Sequence, residues 1–301
     1  MFKKITIIGM GLIGSSLVRA IKKKKLCKNL VAHDLSSNVL KKVKKLKICN
    51  EIELNIKKSV FNSDLVIICT PLSSYKQIIL NIRNNLKKGC ILTDVGSAKV
   101  AVSQIVKKLI NKKEIIWIPA HPIAGTENSG PEYGFAELFK NRWCIVTPIN
   151  KSNQKSLKKI INFWKKIGSR TQCMKAEHHD KVMAITSHIP HLIAFNIVGT
   201  AANLENDTKS EVIKYSASGF RDFTRIASSD PTMWRDIVMN NSKQILNMLN
   251  KFNYDLNKLK KTIINKDKNK LFKLFSKTGK VRKEIIKAGQ DINLPNFGRK
   301  N

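Results

Sequence analysis

A strand that runs straight into a glycine-patterned turn restricts the possible folds of this chain more than any other feature. Lys4-Ile5-Thr6-Ile7-Ile8 leads into Gly9-Met10-Gly11-Leu12-Ile13-Gly14-Ser15-Ser16. The apolar, β-branched run predicts a buried parallel strand, and the G-x-G-x-x-G spacing lets the backbone turn tightly and approach a ligand closely. An amphipathic helix follows, whose unpaired N–H groups and positive dipole end suit a pyrophosphate. Core-packing glycines and methyltransferase loops can imitate the motif, so context decides. A second strand, Leu30-Val31-Ala32-His33, delivers Asp34 roughly twenty residues beyond the last glycine, where a carboxylate accepts hydrogen bonds from an adenosine ribose and repels a 2′-phosphate. Gly9, Gly11, Leu12, Ile13, Gly14 and Asp34 are therefore predicted to bind a dinucleotide of the NAD type.

The alternation continues. Ser63 to Cys69 reads as a buried strand opening into Thr70-Pro71, and Cys90 to Asp94 as another ending in Val95-Gly96-Ser97-Ala98-Lys99. Ile115 to Ile118 leads to Pro119-Ala120-His121-Pro122-Ile123-Ala124-Gly125-Thr126-Glu127. Ligands of doubly wound sheets lie beyond the carboxyl ends of strands. Thr70 and Pro71 are thus expected to line the cofactor crevice, and His121, on backbone stiffened by prolines, to be catalytic. Helices are predicted over Ser36 to Leu46, Ser74 to Leu86 and Ser152 to Ile167, with residues 48–61 ambiguous. Asn128 to Gly134 reads as a loop able to move over a ligand, and Trp143 to Thr147 and Thr171 to Met174 as late strands.

From Ala176 helical periodicity takes over. His178-His179-Asp180 opens a helix that carries Ser187-His188-Ile189-Pro190-His191. The histidine spacing is not H-E-x-x-H, and no carboxylate or cysteine completes a ligand set, so no metal is expected. His188 and His191, three apart, can face a substrate together, and Pro190 predicts a kink or break. Residues 205–218 read as a polar connection. Arg221 and Arg225 fall on one helical face, where an Arg–Asp network fixing helices competes with a binding role. Asp230-Pro231 starts a further helix bearing Trp234. The expected fold class is α/β: a Rossmann-like doubly wound parallel sheet over residues 1–174, then an all-helical domain over 175–301.

Composition bounds the partners. A chain of 301 residues with 42% hydrophobic content is long for one domain and can bury substantial cores. The formal charge of +35 invites nucleic acid, but the lysines are spread along nearly the whole chain and no nucleic-acid motif accompanies them. Lysine-filled solvated faces explain the charge, and no nucleic-acid partner is expected. No run approaches the ~20 apolar residues of a membrane span, and the six cysteines form no CxxC pair, which predicts buried thiols in a reducing cytoplasm.

The motifs Gly9 to Ser16, Asp94 to Lys99, His121 to Glu127, His188 to His191 and Gly219-Phe220-Arg221-Asp222-Phe223-Thr224-Arg225 together resemble the prephenate/arogenate dehydrogenase family. The resemblance covers nearly the whole chain. It implies an NAD-binding domain, a helical domain that makes a homodimer, and an active site between them. The implied reaction converts prephenate and NAD to 4-hydroxyphenylpyruvate, carbon dioxide and NADH in tyrosine biosynthesis. By this resemblance His121 accepts the ring hydroxyl proton, a task suited to neutral imidazole, and Ser97 orients it. Arg225, then Arg221, would bind substrate carboxylates, with Thr126, His188 and His191 lining the pocket. Glu127, Asp180 and Trp234 match positions that help control access. Arogenate or dual specificity is the nearest variant, and a non-catalytic NAD-binding sensor a more distant one. A pocket this rich in donors and cations favours prephenate over arogenate, whose ammonium needs an anion beside it.

Overall fold

The computed structural model describes residues 2–110, 114–149, 154–204, 210–212 and 214–289. They form two compact units, Met1–Ile245 and Leu246–Asn301. In the first, six strands make a parallel sheet in the order β3-β2-β1-β4-β5-β6, comprising β1 (Phe2–Ile8), β2 (Cys27–His33), β3 (Glu51–Ile52), β4 (Leu65–Ile68), β5 (Ile91–Asp94) and β6 (Ile116–Trp117). The order reverses between β1 and β4, the point at which a doubly wound sheet opens a crevice. Helices α1 (Leu12–Lys23), α2 (Ser37–Leu46), α3 (Ile56–Val60), α4 (Tyr75–Ile82) and α5 (Val100–Leu109) connect the strands.

Both faces of this sheet are covered, which is why its strands are continuous apolar runs rather than alternating ones. Along β4, Leu65 and Ile67 join one core with Leu17, Phe163 and Trp164, while Val66 and Ile68 join another with Tyr75, Ile79 and Val102. The two-residue period of a strand thus feeds two cores at once. Trp234 and Ile237 belong to the second core, so part of the helical region is anchored on the sheet.

The predicted strand and loop around His121 is divided between two sheets. β6 closes the parallel sheet, and β7 (Ala120–Pro122) leaves it to pair antiparallel with β8 (Trp143–Val146), which pairs parallel with β9 (Arg170–Cys173). Pro119 has no N–H for the first ladder, which favours the departure there. Helix α6 (Gln154–Lys166) joins β8 to β9; the predicted start at Ser152 lies outside the described residues. The ambiguous 48–61 stretch holds β3 and α3, the latter capped by Asn55, whose side chain accepts the Lys57 and Lys58 N–H groups. The helix expected from Ser74 to Leu86 is shorter, Tyr75–Ile82, and follows a 3₁₀ turn over Leu72–Ser74.

The glycine-rich loop is tied to the first helix. Arg19 donates to the Pro131 carbonyl at 3.1 Å and Ser16 Oγ accepts from Phe135 N–H at 3.1 Å. A Cβ on Gly134 would meet Ser15 Oγ at 2.2 Å and Arg19 Nη1 at 2.8 Å, so any side chain there would have to displace both.

Pro190 does not end its helix. Helix α7 (Ala176–Met183) passes through a π turn at Ala184–His188 into α8 (Ile189–Ala202). The wider turn takes up the bond and space that a proline denies its preceding turn. On length and composition alone, Ala176–Ala202 is apolar enough to cross a bilayer, contrary to the sequence reading. Its buried His179, Asp180 and His188 instead serve the interior described below. Of the polar connection at 205–218, residues 205–209 and 213 lie outside the described residues; α9 (Ser218–Thr224) and α10 (Pro231–Asn240) follow.

The second unit consists of most of α11 (Ser242–Ile264) and of α12 (Lys268–Lys287), which Asp267 caps by accepting from Lys270 N–H. Tyr254, Leu256, Ile263, Phe272 and Phe275 on these helices are exposed.

Candidate active site

The first turn is built for close approach by a phosphate. Gly9 has φ +95°, and a Cβ there would meet the Cys69 carbonyl oxygen at 2.7 Å; a Cβ on Gly14 would meet the Gly9 oxygen at 1.9 Å. These glycines let the turn close against β4 and α1. A Cβ on Gly11 would meet nothing within 4 Å, so the space above the helix N-terminus is open, as a bound pyrophosphate requires. Leu12 and Ile13 begin that helix. Asp34, just past β2, accepts the Met10 N–H at 2.7 Å and the Ser36 N–H at 2.9 Å. Its carboxylate is therefore held against the glycine turn. Thr70 and Pro71 leave β4 beside it, with Thr70 Cγ2 2.7 Å from where a Gly9 Cβ would stand.

Asp94, at the end of β5, organises the next turn. Its fully buried carboxylate accepts from Lys99 Nζ at 2.6 Å, Gly96 N–H at 3.0 Å, Tyr75 Oη at 3.1 Å and Ala120 N–H at 3.2 Å. Lys99 is also fully buried and donates to the Ala120 carbonyl at 2.7 Å. A buried pair of charges is tolerable only when its remaining valences are filled, as here. The pair fixes both sides of residue 120, hence the strand that carries His121. Burial pulls Lys99 below its ordinary pKa, opposed by Asp94.

His121 is buried, and its Nδ1 lies 2.8 Å from His179 Nε2; His179 Nδ1 lies 2.8 Å from Asp180 Oδ1. Desolvation, then the positive charge that His179, Lys99 and His188 can carry, hold His121 well below the usual imidazole pKa. It is therefore neutral at pH 7. Asp180 also accepts Lys99 N–H and Val100 N–H at 2.8 and 3.0 Å, capping α5.

His188 is fully buried, and burial pushes its pKa down to about 4. Asn241 Nδ2 donates to the Asp180 carbonyl at 2.8 Å and approaches His188 Nδ1 at 3.2 Å. His188 Nδ1 is then an acceptor and Nε2 carries the proton. That Nε2 is buried without a partner among the described residues. Trp234 stacks on His191 with centroids 3.9 Å apart and meets His188 edge-on at 6.1 Å. His191 Nδ1 donates to the Ser187 carbonyl at 2.9 Å, and its pKa is lowered by burial, with Arg225 adding to the effect. Arg225 in turn donates to Glu127 Oε2 at 2.8 Å. A continuous series of contacts and fields thus joins His121, His188, Trp234, His191, Arg225 and Glu127.

The family model described as "Prephenate dehydrogenase, nucleotide-binding domain" matches residues 17–173, and that described as "Prephenate dehydrogenase, dimerization domain" matches 175–277. The chain belongs to the prephenate dehydrogenase family. It is 38% identical to a cyclohexadienyl dehydrogenase of Zymomonas mobilis, over 97% of this chain and 98% of that protein. It is 30% identical to a prephenate dehydrogenase of Bacillus subtilis, over 97% of this chain and 78% of that one. The crystal structure of Aquifex aeolicus prephenate dehydrogenase in complex with hydroxyphenyl propionate and NAD+ superposes with a TM-score of 0.88, at 29% identity, covering 95% of this chain and 99% of that one.

This prephenate dehydrogenase family member is an NAD-dependent oxidoreductase with a Rossmann-like sheet and a helical C-terminal domain. Its remaining predicted site residues are less tightly held. Ser97 is half-buried at the turn after β5 and makes no hydrogen bond among the described residues; the partner of His121 Nδ1 is His179. Thr126 is exposed, its Oγ1 accepting from Asn128 N–H at 3.3 Å. Arg221 is exposed and makes no ion pair among the described residues. Asp180 and Trp234, expected to help control access, are 2% and 7% exposed and serve interior contacts. Sequence reasoning passed over Asp94, Lys99, His179 and Asn241 as site residues. The adjacent His179-Asp180 pair and a lysine closing a strand-end turn were the available signals.

Proposed function

We propose that this enzyme oxidatively decarboxylates prephenate to 4-hydroxyphenylpyruvate, with NAD as cofactor, in tyrosine biosynthesis. Gly9, Gly11, Leu12, Ile13 and Gly14 hold the pyrophosphate, Asp34 the adenosine ribose, and Thr70 and Pro71 the neighbouring wall. When bound, NAD supplies the hydride acceptor. His121 takes the proton of the ring hydroxyl as carbonyl character develops, because its burial keeps the imidazole neutral. The ring carboxylate then leaves as carbon dioxide, its bonding electrons complete the aromatic ring, and the resulting phenolate oxygen takes the proton back from His121. Arg225 and Arg221 bind substrate carboxylates through charge-assisted bonds. His188 donates through its unpartnered Nε2–H, and His191, Thr126 and Ser97 complete the polar lining. Glu127 releases Arg225 when substrate arrives.

The carrying observation is a buried neutral imidazole on β7, linked through His188, Trp234 and His191 to an arginine. An absorbance assay for NADH, with prephenate and arogenate supplied separately, tests the reading. NADH formation with prephenate is expected; none with either substrate would overturn it.

The family models, meeting between residues 173 and 175, support a division into 1–174 and 175–301, the second making a homodimer. Exposed Tyr254, Ile263 and Phe272 fit a surface that a second copy covers. Six free cysteines fit a reducing cytoplasm.

A further inference from the structure

The polar groups behind His121 form a donor–acceptor chain that can run in only one direction. The Asp180 carboxylate can only accept, and it already takes Lys99 N–H on Oδ1 and Val100 N–H on Oδ2. Its 2.8 Å contact with His179 Nδ1 therefore places a proton on that nitrogen. A neutral imidazole carries one N–H, so His179 Nε2 is an acceptor. His121 Nδ1, 2.8 Å away, must donate to it, which leaves His121 Nε2 bare. His179 is fully buried and Asp180 nearly so, so water does not compete for these bonds.

We propose that His179, oriented by Asp180, is a positioning residue that holds His121 in the tautomer whose Nε2 is free to accept the substrate's proton. This rests on His121 being the base. When the hydroxyl proton passes to Nε2, His121 becomes an imidazolium that still donates its Nδ1–H to His179. His179 keeps its own proton on Nδ1, and the Asp180 carboxylate stabilises the new charge through it. The logic is that of a hydrolase triad, where a base held in the wrong tautomer loses on the order of 10⁴ in turnover. Here a second imidazole is interposed, and no hydroxyl nucleophile is needed.

Nitrogen NMR of histidine-labelled enzyme reads the tautomer without substrate. At neutral pH the Nε2 of His121 is expected at the position of an unprotonated nitrogen, with Nδ1 protonated on both His121 and His179. In His179→Phe, His121 should redistribute toward the Nε2–H form, and kcat should fall about 10²-fold or more with KM for prephenate little changed. His179→Gln, which restores an acceptor to His121 Nδ1, should recover at least about tenfold of that loss by the same logic. A proton on His121 Nε2 in the unsubstituted enzyme would overturn the proposal, as would a folded His179→Phe with near-normal kcat. Should His179→Phe not fold, the unsubstituted enzyme's tautomer decides alone. If no NADH forms with either substrate, the assigned reaction fails while the tautomer result stands.

Discussion

The two ends of the site differ in how their chemistry is set. At the inner end, His121, His179, Asp180, Asp94 and Lys99 are buried and bonded to one another. At the outer end, Thr126 and Arg221 are exposed, and Arg225 and Glu127 keep 41% and 34% of their side-chain surface. Desolvation at the inner end decides protonation states, because few solvent dipoles remain to support a charge. At the outer end water and salt screen each charge. A base needs the first environment. Residues that capture an anion and release a product suit the second, where no large desolvation cost is paid twice.

The comparison is broken most severely at the inner end. His121→Asn should lower kcat by about 10²–10⁴ with a much smaller change in substrate binding; near-normal turnover in steady-state assays of the folded variant would remove His121 from the mechanism. The same burial sets an acid response. The folded pKa of His188, about 4, lies below its unfolded value near 6.5, so the unfolded chain takes up its proton first as pH falls. This stability is complete above about pH 6.5 and is lost as pH falls through about 4, by on the order of 3 kcal/mol. Denaturant titrations across that window measure it, and His188→Gln should flatten the dependence.

Outer-end changes should be smaller and salt-sensitive. Arg225→Ala is expected to lower kcat/KM for prephenate by about 30-fold, a charge-assisted bond's worth, and Arg221→Ala by less. Loss of this difference would mean that Arg225 is bound to Glu127 for structure alone. Prephenate should exceed arogenate in specificity constant by at least about tenfold, since Asp180 is committed to α5 and His179 and cannot meet an ammonium. Rates for both substrates at two salt concentrations test this, and an equal or greater constant for arogenate at both would sink it. Last, Asp34→Asn, which keeps an acceptor for Met10 N–H, should narrow the preference for NAD over NADP by a few-fold, roughly the effect of one partly screened charge. Equal use of both cofactors by the unsubstituted enzyme would show that Asp34 faces elsewhere.

Much of the molecule was legible because its signals are local. Continuous apolar runs declared strands covered on both faces, as in β4 and β5. The glycine spacing declared a turn whose three glycines have distinct steric reasons, and Asp230-Pro231 declared a helix start that the Asp230 side chain caps. Asp34 and Thr70 follow strands of the parallel sheet, as the strand-end rule expects, whereas His121 lies within β7 of the second sheet. Element limits were less legible: α4 ends at Ile82, and Pro190 is absorbed by a π turn whose cost only tertiary packing offsets.

What the tertiary structure alone decided is which polar atoms meet. His179 stands 58 residues from His121 in the chain, and Asn241 stands 53 from His188; no local pattern encodes either pair. Lys99 reads in sequence as one more lysine among many, yet it is fully buried against Asp94 and the Ala120 carbonyl. The sequence by itself determined the strand, the glycine turn and a histidine between two prolines shortly after the β6 run, because periodicity and backbone sterics act within a few residues. The protonation of that histidine was settled by folding, because desolvation and hydrogen-bond direction depend on groups brought together from distant parts of the chain.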